Sequence, residues 1–235
     1  SIVVPASSPY FVADGTAIYS KDNTELYYYS RSATFENGGF KAKDSVTRIH
    51  ANVFSENRNI KKVVIGKNIE QIDDYAFANM PRLVEIEFEE GTKPLNFGVG
   101  VFSGNAGITT FAFPERAATI GEEMFKGSMI TSISIGKSIV SIGDYAFKDC
   151  TMLTTINFAP DGALENIGKY AFNGAGITSV TFPDSLLTIG ASAFGKVSSL
   201  VSVEFSATSK IKVIEQQAFE YTSITSVYLP ATLEE

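Results

Sequence analysis

ITSISIGKSIVSIGDYAFKDCTM, residues 130–152, carries two short apolar patterns of different period. Ile130, Ile133 and Ile135 stand at offsets 0, 3 and 5, a strand pattern of the L-x-x-I-x-I type. Ile139 and Ile142 open a second segment, I-x-x-I-G-x-x-A-F, which closes on Ala146 and Phe147. At Leu153 the pattern starts again. A unit of about 23 residues cannot bury its apolar face alone. Stacked copies bury one continuous core, which is the physical content of a solenoid repeat.

Outward from this stretch the repeat is counted by its phenylalanines: Phe54, Phe77, Phe102, Phe125, Phe147, Phe172, Phe194 and Phe219. Five residues before each stands another apolar side chain: Ile49, Ile72, Phe97, Ile120, Ile142, Ile167, Ile189 and Ile214. The strands that follow begin at Ile60, Leu83, Ile108, Ile130, Leu153, Ile177, Leu200 and Ile224. Eight copies in register outweigh any single motif. Most coils place the next inward residue seven positions after the last apolar strand residue. Three place it nine positions after, which adds loops at residues 89–94, 159–163 and 206–210. Insertions of this kind map to one edge of a solenoid, often the functional edge.

The first 44 residues do not follow the repeat. YFVA (10–13), TAIYSK (16–21) and ELYYYS (25–30) read as short strands, with Asp14-Gly15 and Asp22-Asn23 as the turns of a β-meander. Terminal units of a solenoid must differ from internal ones, so this segment is expected to cap the first coil. Its five tyrosines also admit a platform for sugar or peptide. Residues 32–43, with Asn37-Gly38-Gly39, read as a flexible surface loop.

The net charge is −7, which argues against nucleic acid or an anionic membrane as partner. Charged residues make up 19 %, below the usual quarter or so, leaving Ser and Thr to cover much of the surface. No apolar run approaches the roughly 20 residues that span a bilayer, and the chain opens SIVVPASSPY without a basic n-region. Cys150 is the only cysteine, which excludes an internal disulfide framework and a Cys-based metal cluster. It falls in a column of small or apolar residues, three after each repeat Phe, and is expected to be packed. His50 stands in a column held mainly by glycine (Gly98, Gly121, Gly143, Gly168, Gly190) and reads as a turn residue near the first coil.

The span I-G-x-x-A-F-x-x-C-x-x-L-x-x-I-x-F, from Ile142 to Phe158, resembles the Treponema-type leucine-rich repeat of BspA-like surface proteins. The likeness covers roughly residues 45–235, and DGTAIYSKDNTELYYY is similar to the hairpin that precedes such repeats. It implies secreted or surface-attached display and adhesion to host matrix proteins or other cells, with no catalytic motif to transfer. The pattern departs most at PLNFGVGVF (94–102), where distortion of the third coil is expected.

Little in the chain points to catalysis. His50 is the sole histidine available for a nucleophile triad, and no G-x-S-x-G elbow is present. Gly136-Lys137-Ser138 resembles the end of a P-loop, but Thr131 stands where its first glycine is needed. Asp73-Asp74, Glu89-Glu90 and Glu122-Glu123 sit beside turns, as solvated carboxylates do. No cofactor, metal or enzymatic activity is expected.

Offsets 2 and 4 of each strand are expected to face away from the core, because strand side chains alternate. The candidate protein-binding residues lie in these two columns: Lys62, Glu85, Glu87, Thr110, Ser132, Thr155, Asn157, Ser179, Thr181, Glu204 and Tyr228. The columns are small and neutral at their centre and charged near both ends. A solvated sheet face built from Ser/Thr ladders and an extended docking surface both fit them. Lys62 and Glu85 share a column on strands about 4.8 Å apart and are expected to pair. Glu85, Glu87, Glu89 and Glu90 form an acidic patch suited to a basic partner.

The sequence therefore predicts a mainly β, right-handed leucine-rich-repeat solenoid with one short parallel strand per coil. Residues 1–44 form a hairpin or meander cap, and residues 45–235 hold about eight copies, ending inside a ninth at ATLEE. The expected function is non-catalytic, extracellular or cell-surface protein binding; a structural spacer or a glycan-binding module is the alternative. The last coil is expected to expose a strand edge, so that the chain continues, or another chain covers it through end-to-end association.

Overall fold

The computed structural model describes residues 2–31, 33 and 38–234. Successive coils are held together by three columns of hydrogen bonds. The first is a ladder of three- and four-residue parallel strands, including Lys62–Ile65 beside Glu85–Phe88 and Ser132–Ile135 beside Thr155–Phe158. Its register follows the repeat, so that Val63 meets Ile86 and Ile133 meets Ile156. The second is a ladder of two-residue strands, such as Ser141–Ile142, Asn166–Ile167 and Thr188–Ile189. The third joins turns: each repeat Phe from Phe54 to Phe194 donates its N–H to the next coil, as Phe125 to Ala146 and Phe147 to Ala171, both at 2.7 Å.

The leucine-rich-repeat solenoid of parallel strands is as expected, but a coil carries two strands where one was predicted. The additional strand lies in the I-x-x-I-G segment, where the glycine that follows brings two backbones together. A Cβ on Gly168 would lie 2.7 Å from the Asp144 nitrogen and 2.7 Å from the Gly143 carbonyl carbon. Two residues are too short a run to show strand alternation in a sequence.

The repeat phenylalanines stack along the axis with centroids 4.9 Å (Phe54–Phe77) to 5.8 Å (Phe102–Phe125) apart. Seven of the eight, Phe54 to Phe194, are fully buried. Each contributes roughly 1.5–3 kcal/mol by leaving water. Rows of Ile and Leu flank them, including Ile130, Ile133, Ile139 and Ile142. Cys150 is buried as expected, its Sγ 3.0 Å from the Phe125 carbonyl, and burial pushes its thiol up to about 11.

At the N-terminal end Phe11–Ala13, Ala17–Ser20 and Glu25–Tyr29 form an antiparallel meander. Its last strand joins the short-strand ladder, with Leu26 beside Ile49. The reading of residues 32–43 as a loop is corrected for a portion of that stretch. Gly39–Lys41 is a strand of the first ladder, paired with Lys62–Ile65, and Phe40 packs 4.4 Å from the Phe54 ring. The Asn-Gly-Gly turn signal and a single large apolar residue hid it. Residues 32 and 34–37 of that stretch lie outside the described residues. At the other end the strand expected to begin at Ile224 is corrected: residues 224–229 form no strand, and Val227 and Leu229 are 43 % and 48 % exposed. No helix among the described residues is long and apolar enough to cross a membrane.

Candidate protein-binding face and its grooves

The outward columns stand where alternation puts them. Glu85, Glu87, Thr110, Thr155, Asn157, Ser179, Thr181, Glu204 and Tyr228 are exposed, and Lys62 and Ser132 are half-buried between neighbours. They are not carried on one hydrogen-bonded sheet. The first ladder is divided into three sheets, ending at Glu85–Phe88, at Thr155–Phe158 and at Ser202–Glu204. Lys62, Glu85 and Glu87 therefore belong to one sheet; Thr110, Ser132, Thr155 and Asn157 to the next; Ser179, Thr181 and Glu204 to the third. Tyr228 lies on the strandless last turn.

The acidic patch is partly neutralised. Lys62 Nζ donates to Glu85 at 3.1 Å and to Glu87 at 2.5 Å, so the expected Lys62–Glu85 pair forms within a triad. That ammonium holds the Glu87 carboxyl below its usual range. Glu89 is lowered by Lys41, at 2.6 Å, and by the Lys67 N–H. All of these groups lie largely in solvent, where such pairs contribute little to stability. Glu90 is exposed and takes part in none of these contacts.

On the short-strand side His50 joins the meander to the first coil. Its ring stacks on Tyr27 at 3.9 Å, and its Nε2 lies 2.7 Å from a Glu25 carboxylate oxygen. Arg48 Nε donates to Asp73 at 2.9 Å beside it. The histidine is thus a bridge between elements, a role that its isolation in the sequence did not reveal.

The divisions of the first ladder have a common place in the repeat. Each follows one of the three long coils. At two of the paired junctions the residue after the last inward strand position donates to the coil before it: Glu89 N–H to the Ile65 carbonyl at 3.0 Å, Ala159 N–H to Ile135 at 2.9 Å. In the coil after each long one that position holds Pro114, Pro183 or Pro230, and proline has no N–H to give. The first division is widened by bulk. Phe97 and Phe111 replace the aliphatic residues of their columns, and the Phe111 ring packs on Phe88, Phe102 and Phe125 at 4.8–5.7 Å. Here the short-strand ladder is interrupted as well, between Asn96–Phe97 and Thr119–Ile120. This is beside the stretch in which distortion was expected.

Each division opens a groove. The first, about 920 Å³, has Ile86, Phe88 and Phe113 on its floor, Pro114 on one side and Glu89, Glu90 and Glu115 around it. The second, about 650 Å³, is floored by Ile156, Phe158 and Phe182 and rimmed by Thr155, Ser179 and Asp184. The third lies on the last turn, among Val203, Phe219, Ile224, Val227 and Leu229. The long loops were legible in the sequence as an edge, but these grooves were not. The three prolines were the available signal, since their meaning depends on which neighbour the missing N–H would have faced.

The family model for the BspA type leucine rich repeat region matches residues 24–154 and 118–235 with six copies. No curated protein matches the chain. Among solved structures, a leucine-rich repeat protein from Eubacterium ventriosum superposes over 97 % of this chain at 22 % identity and a TM-score of 0.69. This chain spans 54 % of the length of that protein. A leucine-rich repeat protein from Bacteroides ovatus matches over 96 % of this chain and 81 % of its own, at 17 % identity and a TM-score of 0.52. At these identities the structural likenesses establish the solenoid. With the repeat matched along most of its length, the chain belongs to the BspA-type leucine-rich-repeat family, whose repeats build protein-interaction surfaces.

Proposed function

We propose that this chain is a non-catalytic binding protein displayed at a cell surface or secreted. Its long-strand face and long-loop edge would hold proteins of a host matrix or of another cell, with residues 1–44 closing the N-terminal end of the solenoid. One observation carries this reading. Successive coils present outward columns of small hydroxyl and amide groups on a rigid core of stacked rings, flanked by charge and interrupted by apolar grooves. A face that is flat, solvated and low in charge costs little to desolvate, and the grooves add apolar contact where a partner's side chains can be buried.

The test is capture on a panel of purified extracellular-matrix proteins and on intact cells, with the chain immobilised. Saturable capture that weakens when Thr155 and Ser179 are replaced by arginine is expected. A chain that binds none of them acts as a spacer, and the binding reading fails.

A further inference from the structure

We infer that the groove between Glu85–Phe88 and Thr110–Ala112 receives an extended, lysine- or arginine-bearing segment of a partner protein, with an apolar side chain seated on Phe88 and Phe113. The inference deepens the binding reading above and rests on it.

Three features of this junction select that occupant. First, the strand Glu85–Phe88 has a partner on one side only, and Pro114 offers no donor to the Phe88 carbonyl. An extended peptide satisfies such an edge with its own backbone N–H groups. Second, Ile86, Phe88 and Phe113 are only partly buried, unlike Val63, Ile65 and Ile133 at equivalent positions in the paired ladder. This apolar surface gains by covering. Third, the rim is acidic. Glu90 and Glu115 are exposed, and neither has a hydrogen-bond or ion-pair partner among the described residues. The one cation lining the groove, Arg116, is turned inward, its guanidinium donating to the Ile69 and Gly66 carbonyls. The rim therefore keeps its negative charge for a ligand. A second copy of this chain, at a net charge of −7, is a poor match for it. The sister groove beside Phe158 has a similar aromatic floor but a single lining carboxylate, Asp184, which is held by Ser206 and Thr208, where this one has Glu89, Glu90 and Glu115.

The test uses the whole chain and two synthetic heptapeptides, one alternating lysine with phenylalanine and leucine, the other with glutamate in place of lysine. Affinity is read by fluorescence anisotropy at low and moderate salt. The lysine peptide is expected to bind, to weaken about tenfold or more in Glu90→Lys/Glu115→Lys, and to weaken with salt. Glu122→Lys/Glu165→Lys makes the same change in net charge at exposed sites elsewhere and is expected to leave binding within about twofold of the wild type. Amide shifts confined to residues 86–92 and 110–116 would place the peptide in the groove. An equal loss in both double variants would reduce the effect to net charge and overturn the site, as would equal affinity for the glutamate peptide. Capture of matrix protein that persists unchanged in Glu90→Lys/Glu115→Lys, with no peptide binding, would remove the groove and leave the broader reading standing.

Discussion

Two junctions between coils, built from the same repeat, behave differently. Between Ser132–Ile135 and Thr155–Phe158 the strands pair at four positions, and the flanking rings of Phe125, Phe147 and Phe172 follow at 5.4 and 5.1 Å. Between Glu85–Phe88 and Thr110–Ala112 there is no pairing, and Phe77, Phe102 and Phe125 follow at 5.7 and 5.8 Å. Ala159 supplies a donor where Pro114 has none, and Ile156 stands where Phe111 does. The turn column is unbroken at both: Phe102 donates to Met124 as Phe147 does to Ala171. A solenoid of this kind can open one side for binding while another keeps the coils in register, since its stability is a sum of neighbour terms.

The largest test of this contrast is in the core. Phe147→Ala is expected to destabilise by about 3–5 kcal/mol, as large buried truncations do. Phe113→Ala, at the open junction and already partly exposed, is expected to cost about 1–2 kcal/mol. Urea melts of the two variants decide; equal losses would mean that the open junction is packed as tightly as the closed one.

The close approach of backbones in the paired region is probed by Gly168→Ala, whose Cβ meets main-chain atoms of the coil before it. A loss of about 1–3 kcal/mol is expected from this overpacking. Gly136→Ala has nothing within 4 Å of the new carbon and is expected to stay within about 0.5 kcal/mol of the wild type. Thermal melts that ranked them the other way would contradict the glycine column as a contact between coils.

Cys150 gives a pH-dependent effect. Burial raises the folded thiol to about 11, above its ordinary value of 9.0, so the unfolded chain ionises first as pH rises. In that interval the folded state holds more protons than the unfolded one, and stability falls with pH. The contribution is complete below pH 9 and declines towards 11. Denaturation of wild type and Cys150→Ala between about pH 8 and 11 checks this: the wild type should lose stability faster. A parallel decline in both would assign the slope to other groups.

The smallest effect is expected on the outward face. Ser132→Ala should change stability by less than about 0.5 kcal/mol, because its side chain stands in the outward column of the ladder, half-buried between neighbours. A larger loss in urea would show that the Ser/Thr columns stiffen the paired ladder and are more than a solvated surface.

The amino-acid sequence alone determined the coil. Phenylalanines at Phe54, Phe77, Phe102 and onward, each with an apolar residue five before it, admit one periodic burial, and that burial specifies the solenoid, its register and the outward columns. Local sequence also marked the meander and the packed place of Cys150. It did not disclose the second strand of each coil, the strand Gly39–Lys41, or His50 as a bridge to Glu25. Those depend on what lies across from a residue, and a two-residue strand has no pattern of its own. The grooves show the same limit. Pro114 reads in sequence as an ordinary turn residue. Only the stacked structure places it opposite Phe88, beyond a long coil and beside Phe111, at a junction where the neighbouring strands do not pair. Whether adjacent coils pair is a property of both at once, so tertiary structure decided where the outward ladder is continuous and where it opens.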